Sequence, residues 1–388
     1  MTSRSRTIVL AISTPIIAFA FIGGYLNRAL AKDGTYQSLQ IFEDVVSLVL
    51  SNYVEPVDVN EAMQGAMRGL ANELDPESAY LRPALVSSLE TDDPGGPTGI
   101  GLDLTRQYYL RVVSARDNSP ADKAGIRPGD FIRAIDNQPT RNMSAYEGER
   151  LLRGAAGTTV TLLVIRGNAA DPHQVDLVRE TTTGEDVTSR MADAITGYIR
   201  ILRFSPDSAS RLEQAISTMI RHGAARHIID LRGTSIGDLD DGVAAARLFV
   251  KNATMAIRLG REDAREPIVG GPSDGAITAP LALLVDNGTA GAAEVFAAAI
   301  DGNDRAELIG TPTLGRASRQ RLIKLPDQSG ILLTYVRYLT PAGDPIHETG
   351  LTPDINVEPP EIEFGDDAPT PDETLQRALE HLAANSAT

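Results

Sequence analysis

Apolar positions near the start of the chain recur at the three-and-four spacing of amphipathic helices. One such pattern covers residues 39–53 and a second covers residues 63–74. The second helix is expected to stop before Pro76, because the residue before a proline avoids the helical region. Residues 91–97 combine aspartate, proline and glycine, which is typical of a loop or linker. The hydrophobic pattern therefore predicts a helical pair over residues 35–90, followed by a loop.

The region after this loop carries short apolar runs and turn signals typical of a small β-rich domain over residues 95–168. Strands are predicted at Ile100–Leu104, Tyr108–Val113, Phe131–Ile135 and Val160–Ile165. A short helix is expected after Ser119, which would be its N-cap, and Gly125 would end it. Ser144 and Glu147 have the spacing of a capping box, which predicts another helix up to about Arg153.

From about residue 196 onward, strand-like and helix-like runs alternate, which favours an α/β layer with a partly parallel sheet. The predicted strands are Tyr198–Phe204, His227–Leu231, Leu281–Val285, Ala306–Ile309 and Ile331–Tyr338. The predicted helices are Ser208–Arg221, Leu239–Val250 and Ala292–Ile300. Residues 358–372 are acidic and proline-rich and are expected to be extended, with one short helix after them. The fold class is therefore α/β.

Composition narrows the possible functions. The chain has 388 residues, 52 of them acidic and 36 basic, for a net charge of −16. A nucleic-acid partner is not expected, because such proteins need a basic surface to displace counterions. There is no cysteine, so thiolate chemistry and cysteine-based metal sites are impossible. Only four residues are lysines: Lys32, Lys123, Lys251 and Lys324.

The first 31 residues have the pattern of a targeting segment. Arg4 and Arg6 precede an apolar run over residues 8–22, and Ala29 and Ala31 have the spacing of a signal-peptide cleavage site. The stretch Ile8–Leu26 is also long enough, at 19 residues, for an uncleaved membrane anchor, so signal peptide and anchor stay equally open. Either alternative predicts an exported protein in the periplasm or on the extracytoplasmic face of the inner membrane, with the basic end left inside.

Several ordered motifs resemble one protein family. They include Leu74-Asp75-Pro76 with Ser78 and Tyr80, Gly99-Ile100-Gly101-Leu102, Asp230-Leu231-Arg232, and the stretch from Ala290 to Gln320. Together they resemble the carboxy-terminal processing (tail-specific, S41-type) serine proteases, which carry an inserted PDZ domain. One departure is Glu77, which stands where the family has histidine. The resemblance implies an S41-type core over residues 190–357, and an acidic tail with a short helix over 358–388.

The family cuts peptide bonds with a Ser–Lys dyad, in which a desolvated lysine takes the serine proton. By resemblance the serine position is Gly291 and the lysine position is Arg316, at the family's spacing of 25 residues. Glycine has no nucleophile, and arginine keeps its proton at physiological pH. The supporting glutamine is retained as Gln320. The catalytic pair is therefore expected to be missing.

The oxyanion region is also altered, since by resemblance it comprises Ile236, Gly237 and Ala292, with isoleucine in place of a glycine. Thr289 is a possible substitute nucleophile, although a role in a turn or helix cap is more expected. Ser318 is expected on a surface loop and Lys324 on a strand.

Histidine chemistry and metal chemistry have little support in the sequence. His222 and His227 are expected at a helix end and a strand start, and His173 and His347 in loops. Their spacing forms no catalytic triad or metal motif, so neither a metal nor a cofactor is expected.

The PDZ resemblance implies a separate binding site. The loop Gly99-Ile100-Gly101 would present amides to a peptide carboxylate, and the strand from Leu102 would pair with the peptide. The expected partners are C-terminal peptides of exported or unfolded proteins, the membrane through the N-terminal segment, and an active paralogous protease. Two hypotheses compete: a degenerate member that binds peptide tails without cutting, and an active serine-type endopeptidase with non-standard residues. A purely structural exported protein is a third reading.

Overall fold

A computed structural model describes residues 36–93, 95–167, 172–181, 185–360, 362–366 and 370–385. The chain divides into two units, the first ending at Met67. This first unit contains a helix over residues 36–52 and the start of the helix Val59–Asn72. The predicted signal peptide or anchor lies outside the described residues. Among the helices that are described, none is both long and apolar enough to cross a membrane.

The second unit begins at Arg68 and contains an inserted β-rich domain. In sheet order its strands are Leu102–Gln107, Tyr109–Ala115, Phe131–Ile135, Thr159–Ile165 and His173–Val178, with Gln138–Pro139 paired to the third. Its helices are Pro120–Lys123 and Ala145–Leu152. The first strand lies at the sheet edge, where another strand can pair. The last strand lies beyond residue 168, and it places His173 on a strand, so the predicted loop position of His173 is wrong.

The rest of this unit, which we call the core, is built on a largely parallel sheet. Its strands in order are Ile355–Asn356, Glu307–Gly310, Leu281–Val285, Arg226–Asp230, Thr196–Ile201 and Val187–Met191, of which only the last is antiparallel to its neighbour. The helices are Ser208–Arg221, Leu239–Ala246, Ala292–Asp301 and Glu373–Asn385. The strand Leu281–Val285 is buried at every position, as expected for a parallel sheet covered on both faces.

A second, antiparallel sheet completes the core. Its strands in order are Ala79–Leu81, Gly330–Leu339, Thr254–Leu259 and Arg265–Val269, and Ser318–Lys324 also pairs with Gly330–Leu339. A helix, Pro83–Glu90, and a short 3-10 turn, Arg261–Asp263, accompany them. The predicted surface-loop position of Ser318 is wrong, because Ser318 begins a strand and is buried.

The mixed α/β fold is confirmed. The helix Ser208–Arg221 and the strand Leu281–Val285 have the predicted bounds. The strand predicted to reach Phe204 ends at Ile201 instead, and the helix predicted to reach Val250 ends at Ala246. Both predictions ran on to a buried apolar residue of the connecting segment, Phe204 or Val250, because burial alone does not distinguish a strand or helix from a covered loop.

Candidate active site and peptide-binding cleft

Gly291 lies at the turn between the strand Leu281–Val285 and the helix Ala292–Asp301, where it is the N-cap residue. Its φ of 61° belongs to the left-handed region, which favours glycine. A Cβ placed on Gly291 would lie 3.6 Å from the nearest atom, the Ser235 carbonyl oxygen. A side chain would therefore fit in the available space, but only with a strained backbone. The strand-to-helix turn implied by the resemblance is present, without a nucleophile.

The buried carboxyl of Glu294 ties this turn to the Arg316 loop. One of its oxygens accepts hydrogen bonds from the amides of Gly291 (2.9 Å) and Arg316 (2.8 Å). The other accepts from the Thr313 hydroxyl and the Gly315 amide, both at 2.6 Å. Burial raises the pKa of Glu294, and these donated hydrogen bonds oppose that rise. Glu294 therefore fixes the backbone at both dyad positions, whatever side chains they carry.

The side chain of Arg316 forms a two-pronged ion pair with Asp103 of the inserted domain. Its two terminal nitrogens donate to the two carboxylate oxygens at 3.1 and 2.5 Å, and one of them also donates to the Ser235 carbonyl at 2.8 Å. Burial alone would lower the pKa of Arg316, but the negative charges of Asp103 and Glu77 outweigh it and raise the pKa. Arg316 is thus a fixed cation that cannot accept a proton from a nucleophile.

Two further acidic side chains surround this ion pair. Removal from water raises the pKa of Glu149 well above its usual value, and the adjacent Asp103 raises it further. The same carboxyl accepts a hydrogen bond from the Leu104 amide at 3.3 Å. Burial also raises the pKa of Glu77, against the opposing charge of Arg316. For Asp103, burial would raise the pKa, but Arg316 outweighs it and the pKa is lowered. The lowered pKa of Asp103 favours its ionised form, and the raised pKa of Glu149 favours its protonated form.

The turn that the resemblance assigns to the oxyanion region contains a glycine that its backbone requires. Gly237 has a φ of 140°, and a Cβ there would lie 2.5 Å from the Phe204 carbonyl oxygen, so only glycine fits. The neighbouring Ile236 accepts a hydrogen bond from the Phe204 amide at 2.9 Å and exposes 43% of its surface. Ala292 is the buried first residue of the helix that follows Gly291. The backbone of this turn is therefore formed, although the nearby Gly291 has no reactive side-chain atom.

The candidate substitute residues have structural partners. The Thr289 hydroxyl is buried, donates to the Leu231 carbonyl at 2.9 Å and accepts from the Asp286 amide at 3.0 Å. The Ser318 hydroxyl accepts from the Gln320 amide group at 2.8 Å. The Lys324 ammonium is exposed and lies 2.7 Å from Glu90. Thr289 therefore holds a turn, and Lys324 is engaged on the surface.

Two clefts meet at Arg316. A cleft of about 670 Å³ runs from the loop Gly99–Leu102 to Ser235, Gly237 and Arg316. A second cleft of about 450 Å³ is lined by Gly291, Arg316, Ser318 and Gln320, among others. Among the described residues that line these two clefts there is no lysine or histidine. The clefts can hold a peptide, but their lining includes neither a lysine nor a histidine that could act as a general base.

The loop Gly99–Leu102, to which the resemblance assigns carboxylate binding, is only partly used by its own backbone. Within the described chain, the amides of Ile100 and Gly101 donate to no other backbone carbonyl, whereas that of Gly99 is used by Glu180. Gly101 has a φ of 81°, and a Cβ there would lie 2.3 Å from Cβ of Ser119. The sequence-based site therefore has two amides, not three, available before the edge strand begins.

Sequence reasoning missed Asp103, Glu149 and Ser235 as site residues. Asp103 and Arg316 are 213 positions apart, so no local pattern could pair them. Glu77 was visible as a departure from the family motif, and it lies in the same cleft as Gly291 and Arg316. Three departures from the family pattern thus share one site.

Known proteins are similar to this chain over most of its length. Residues 195–357 match the model of peptidase family S41, and residues 111–166 match a PDZ domain model. A carboxyl-terminal-processing protease of Synechocystis is 31% identical over 88% of this chain and 82% of its own length. A carboxy-terminal processing protease of Bacillus subtilis is 30% identical over 81% of this chain and 67% of its own length. The structure of a photosystem II D1 C-terminal processing protease covers 86% of this chain and 89% of its own, with 29% identity and a TM-score of 0.71.

Proposed function

We propose that this chain, which belongs to the carboxyl-terminal processing proteases of peptidase family S41 and carries their PDZ domain, binds protein C-termini without hydrolysing them. One observation carries the proposal: the general-base position is Arg316, held in a buried ion pair with Asp103, while the nucleophile position is Gly291. A serine-type hydrolysis needs a hydroxyl and a proton acceptor at these two positions. Binding needs only the free loop amides of Ile100 and Gly101 and the first pairing position of the edge strand, at Leu102.

The competing proposal is an active serine-type endopeptidase that uses non-standard residues. Ser318 supports it, because its hydroxyl lines the same cleft as Gly291. The partner of that hydroxyl is the amide group of Gln320, which donates a hydrogen bond and cannot take a proton. Non-hydrolytic binding is therefore favoured.

The proposed location is outside the cytoplasm, on the strength of Arg4, Arg6 and the apolar run over residues 8–22. There the protein would bind the C-termini of exported or unfolded proteins and compete with, or scaffold, an active paralogous protease. A reporter enzyme that works only outside the cytoplasm, fused after Thr388, should be active. Activity of a cytoplasm-only reporter at the same junction would contradict export.

Titration with apolar-ended peptides tests the binding proposal. A free C-terminus should bind at least about ten-fold more tightly than its amide, because charge-assisted hydrogen bonds contribute about 1.5–3 kcal/mol. Gly101→Ala should abolish this difference, since the added Cβ collides with Ser119. Gly157→Ala is the matched control: Gly157 also has a positive φ, but no atom lies within 4 Å of its added Cβ. Equal affinity for free and amidated peptides would reject the proposal.

A further inference from the structure

The C-terminal segment contacts the inserted domain between two attachments to the core. It leaves the core after the strand Ile355–Asn356 and returns to it at the helix Glu373–Asn385. Ala378 and Leu382 of that helix are buried against the parallel sheet. Between these attachments, residues 362–366 lie against the inserted domain.

Phe364 is the centre of the contact with the inserted domain. Its ring stacks on His173, with centroids 4.6 Å apart and planes 11° apart, and the Arg166 guanidinium lies 5.0 Å from its centroid. The backbone carbonyls on either side are also bound: Glu363 accepts from Arg166 at 3.1 Å and Asp366 from Arg127 at 2.8 Å. We call Arg127, Arg166 and His173 the tail docking surface. This surface contacts the Phe364 ring and also binds the backbone carbonyls beside it.

The tail docking surface is held in place by the inserted domain itself. The buried carboxylate of Asp130 accepts two hydrogen bonds from Arg166, at 2.8 and 2.7 Å, and the Gly125 carbonyl accepts a third at 2.6 Å. These bonds leave one terminal nitrogen and the face of the guanidinium for the tail. Because Arg166 is fixed without help from the tail, its side chain loses little conformational entropy when the tail binds.

Charge favours the same contact. Residues 358–373 contain seven acidic side chains and no lysine or arginine, and two of the three docking residues are arginines. At the core end, the two carboxylate oxygens of Asp372 accept from Arg232 at 3.0 and 2.8 Å. Arg232 is held in turn by the buried Asp230. The segment is therefore bound to the inserted domain at residues 363–366 and to the core at Asp372.

We propose that the tail docking surface is a second peptide-binding site of the inserted domain, occupied by the chain's own residues 362–366. Residues 362–366, bound there, and Asp372, bound to Arg232, act as a strap that fastens the inserted domain to the core. None of the docking residues lines the cleft beside Gly99–Leu102, so the strap is separate from the proposed C-terminus site. The kind of ligand that fits is an internal acidic segment with one aromatic residue, not a free carboxylate.

Distance measurement between two spin labels tests the strap directly. The chain has no cysteine, so Thr159→Cys in the inserted domain and Ser217→Cys in the core provide unique label sites on exposed positions. The wild-type background should give one narrow distance distribution. Phe364→Ala should broaden it toward longer distances, while Phe364→Tyr, which keeps the ring, should not. An unchanged distribution with Phe364→Ala would overturn the proposal. If that variant fails to fold, Asp372→Asn, which weakens the core end, decides in the same way.

Binding in trans tests the surface itself. A fluorescent peptide of residues 358–372 with an amidated C-terminus should bind the Phe364→Ala chain more tightly than the wild type, whose surface is occupied at high effective concentration. The same peptide with alanine in place of phenylalanine should bind neither chain. Equal binding of the two peptides would overturn the proposal. Because both assays omit any free-carboxylate ligand of the cleft, their failure would leave the proposed C-terminus binding intact.

Discussion

At the scale of single residues, Gly291 and Arg316 decide the chemistry. We predict that Gly291→Ser alone gives no hydrolysis of unfolded substrates, because Arg316 cannot accept the serine proton. The double change Gly291→Ser with Arg316→Lys supplies both groups. It should recover at most weak turnover, since the introduced ammonium would lie beside the negative charge of Asp103, which keeps an ammonium protonated. Peptide mass spectrometry measures turnover, with Gly291→Ala as the matched control. Cleavage by Gly291→Ser alone would contradict this reading.

A second residue-scale prediction concerns Glu149. Its raised pKa means that the folded state holds this proton over a pH range in which the unfolded chain has lost it. The free energy of unfolding should therefore fall as pH rises, by up to about 1.4 kcal/mol per pH unit from this group. Glutamine cannot ionise, yet it can still accept from the Leu104 amide and donate to Asp103. Glu149→Gln should thus gain stability relative to wild type as the pH rises above the usual glutamate pKa of about 4.3.

Urea denaturation across this pH range measures the effect of Glu149→Gln. Glu213→Gln, on the exposed face of the helix Ser208–Arg221, is the matched control. A wild-type-to-variant difference that stays constant with pH would show that Glu149 is not held protonated in the folded chain.

At the scale of elements, the edge strand Leu102–Gln107 is only partly open to a peptide. A paired peptide uses every second residue of the strand, so it would bond first to Leu102 and then to Leu104. The Leu104 amide already donates to Glu149, and its carbonyl accepts from Arg316 at 3.4 Å. The core residue Arg316 thus closes the edge strand after its first pairing position.

We therefore predict that the site binds only the last residues of a C-terminus. Strand hydrogen bonds contribute about 0.5–1.5 kcal/mol each, so an open edge would favour an eight-residue peptide over a three-residue one by about ten-fold or more. Here the two peptides should bind with similar affinity in calorimetric titrations. An affinity ten-fold or more higher for the longer peptide would show that it displaces Glu149 and Arg316 from the Leu104 backbone.

At the scale of the whole molecule, elements with a regular apolar pattern were predictable, and a strand without such a pattern was not. Leu281–Val285 is buried throughout and has the predicted bounds. Of the strand Ser318–Lys324 only Lys324 was expected on a strand, because the first four positions are polar or basic and the strand is partly exposed. Sequence patterns are also local in the site. The spacing of Gly291 and Arg316 could be read from the sequence, whereas only tertiary contacts bring Asp103 and Glu149 next to Arg316.

The central claim is that a protein C-terminus binds to this chain and leaves it uncut. Native mass spectrometry of the purified protein, incubated with an excess of a free-carboxylate peptide, tests this directly. We predict a complex whose mass equals protein plus intact peptide, and no shortened peptide above a buffer control. A shortened peptide whose formation is lost on Thr289→Ala or Ser318→Ala would contradict the claim, because one of those hydroxyls would then be the nucleophile of a working peptidase.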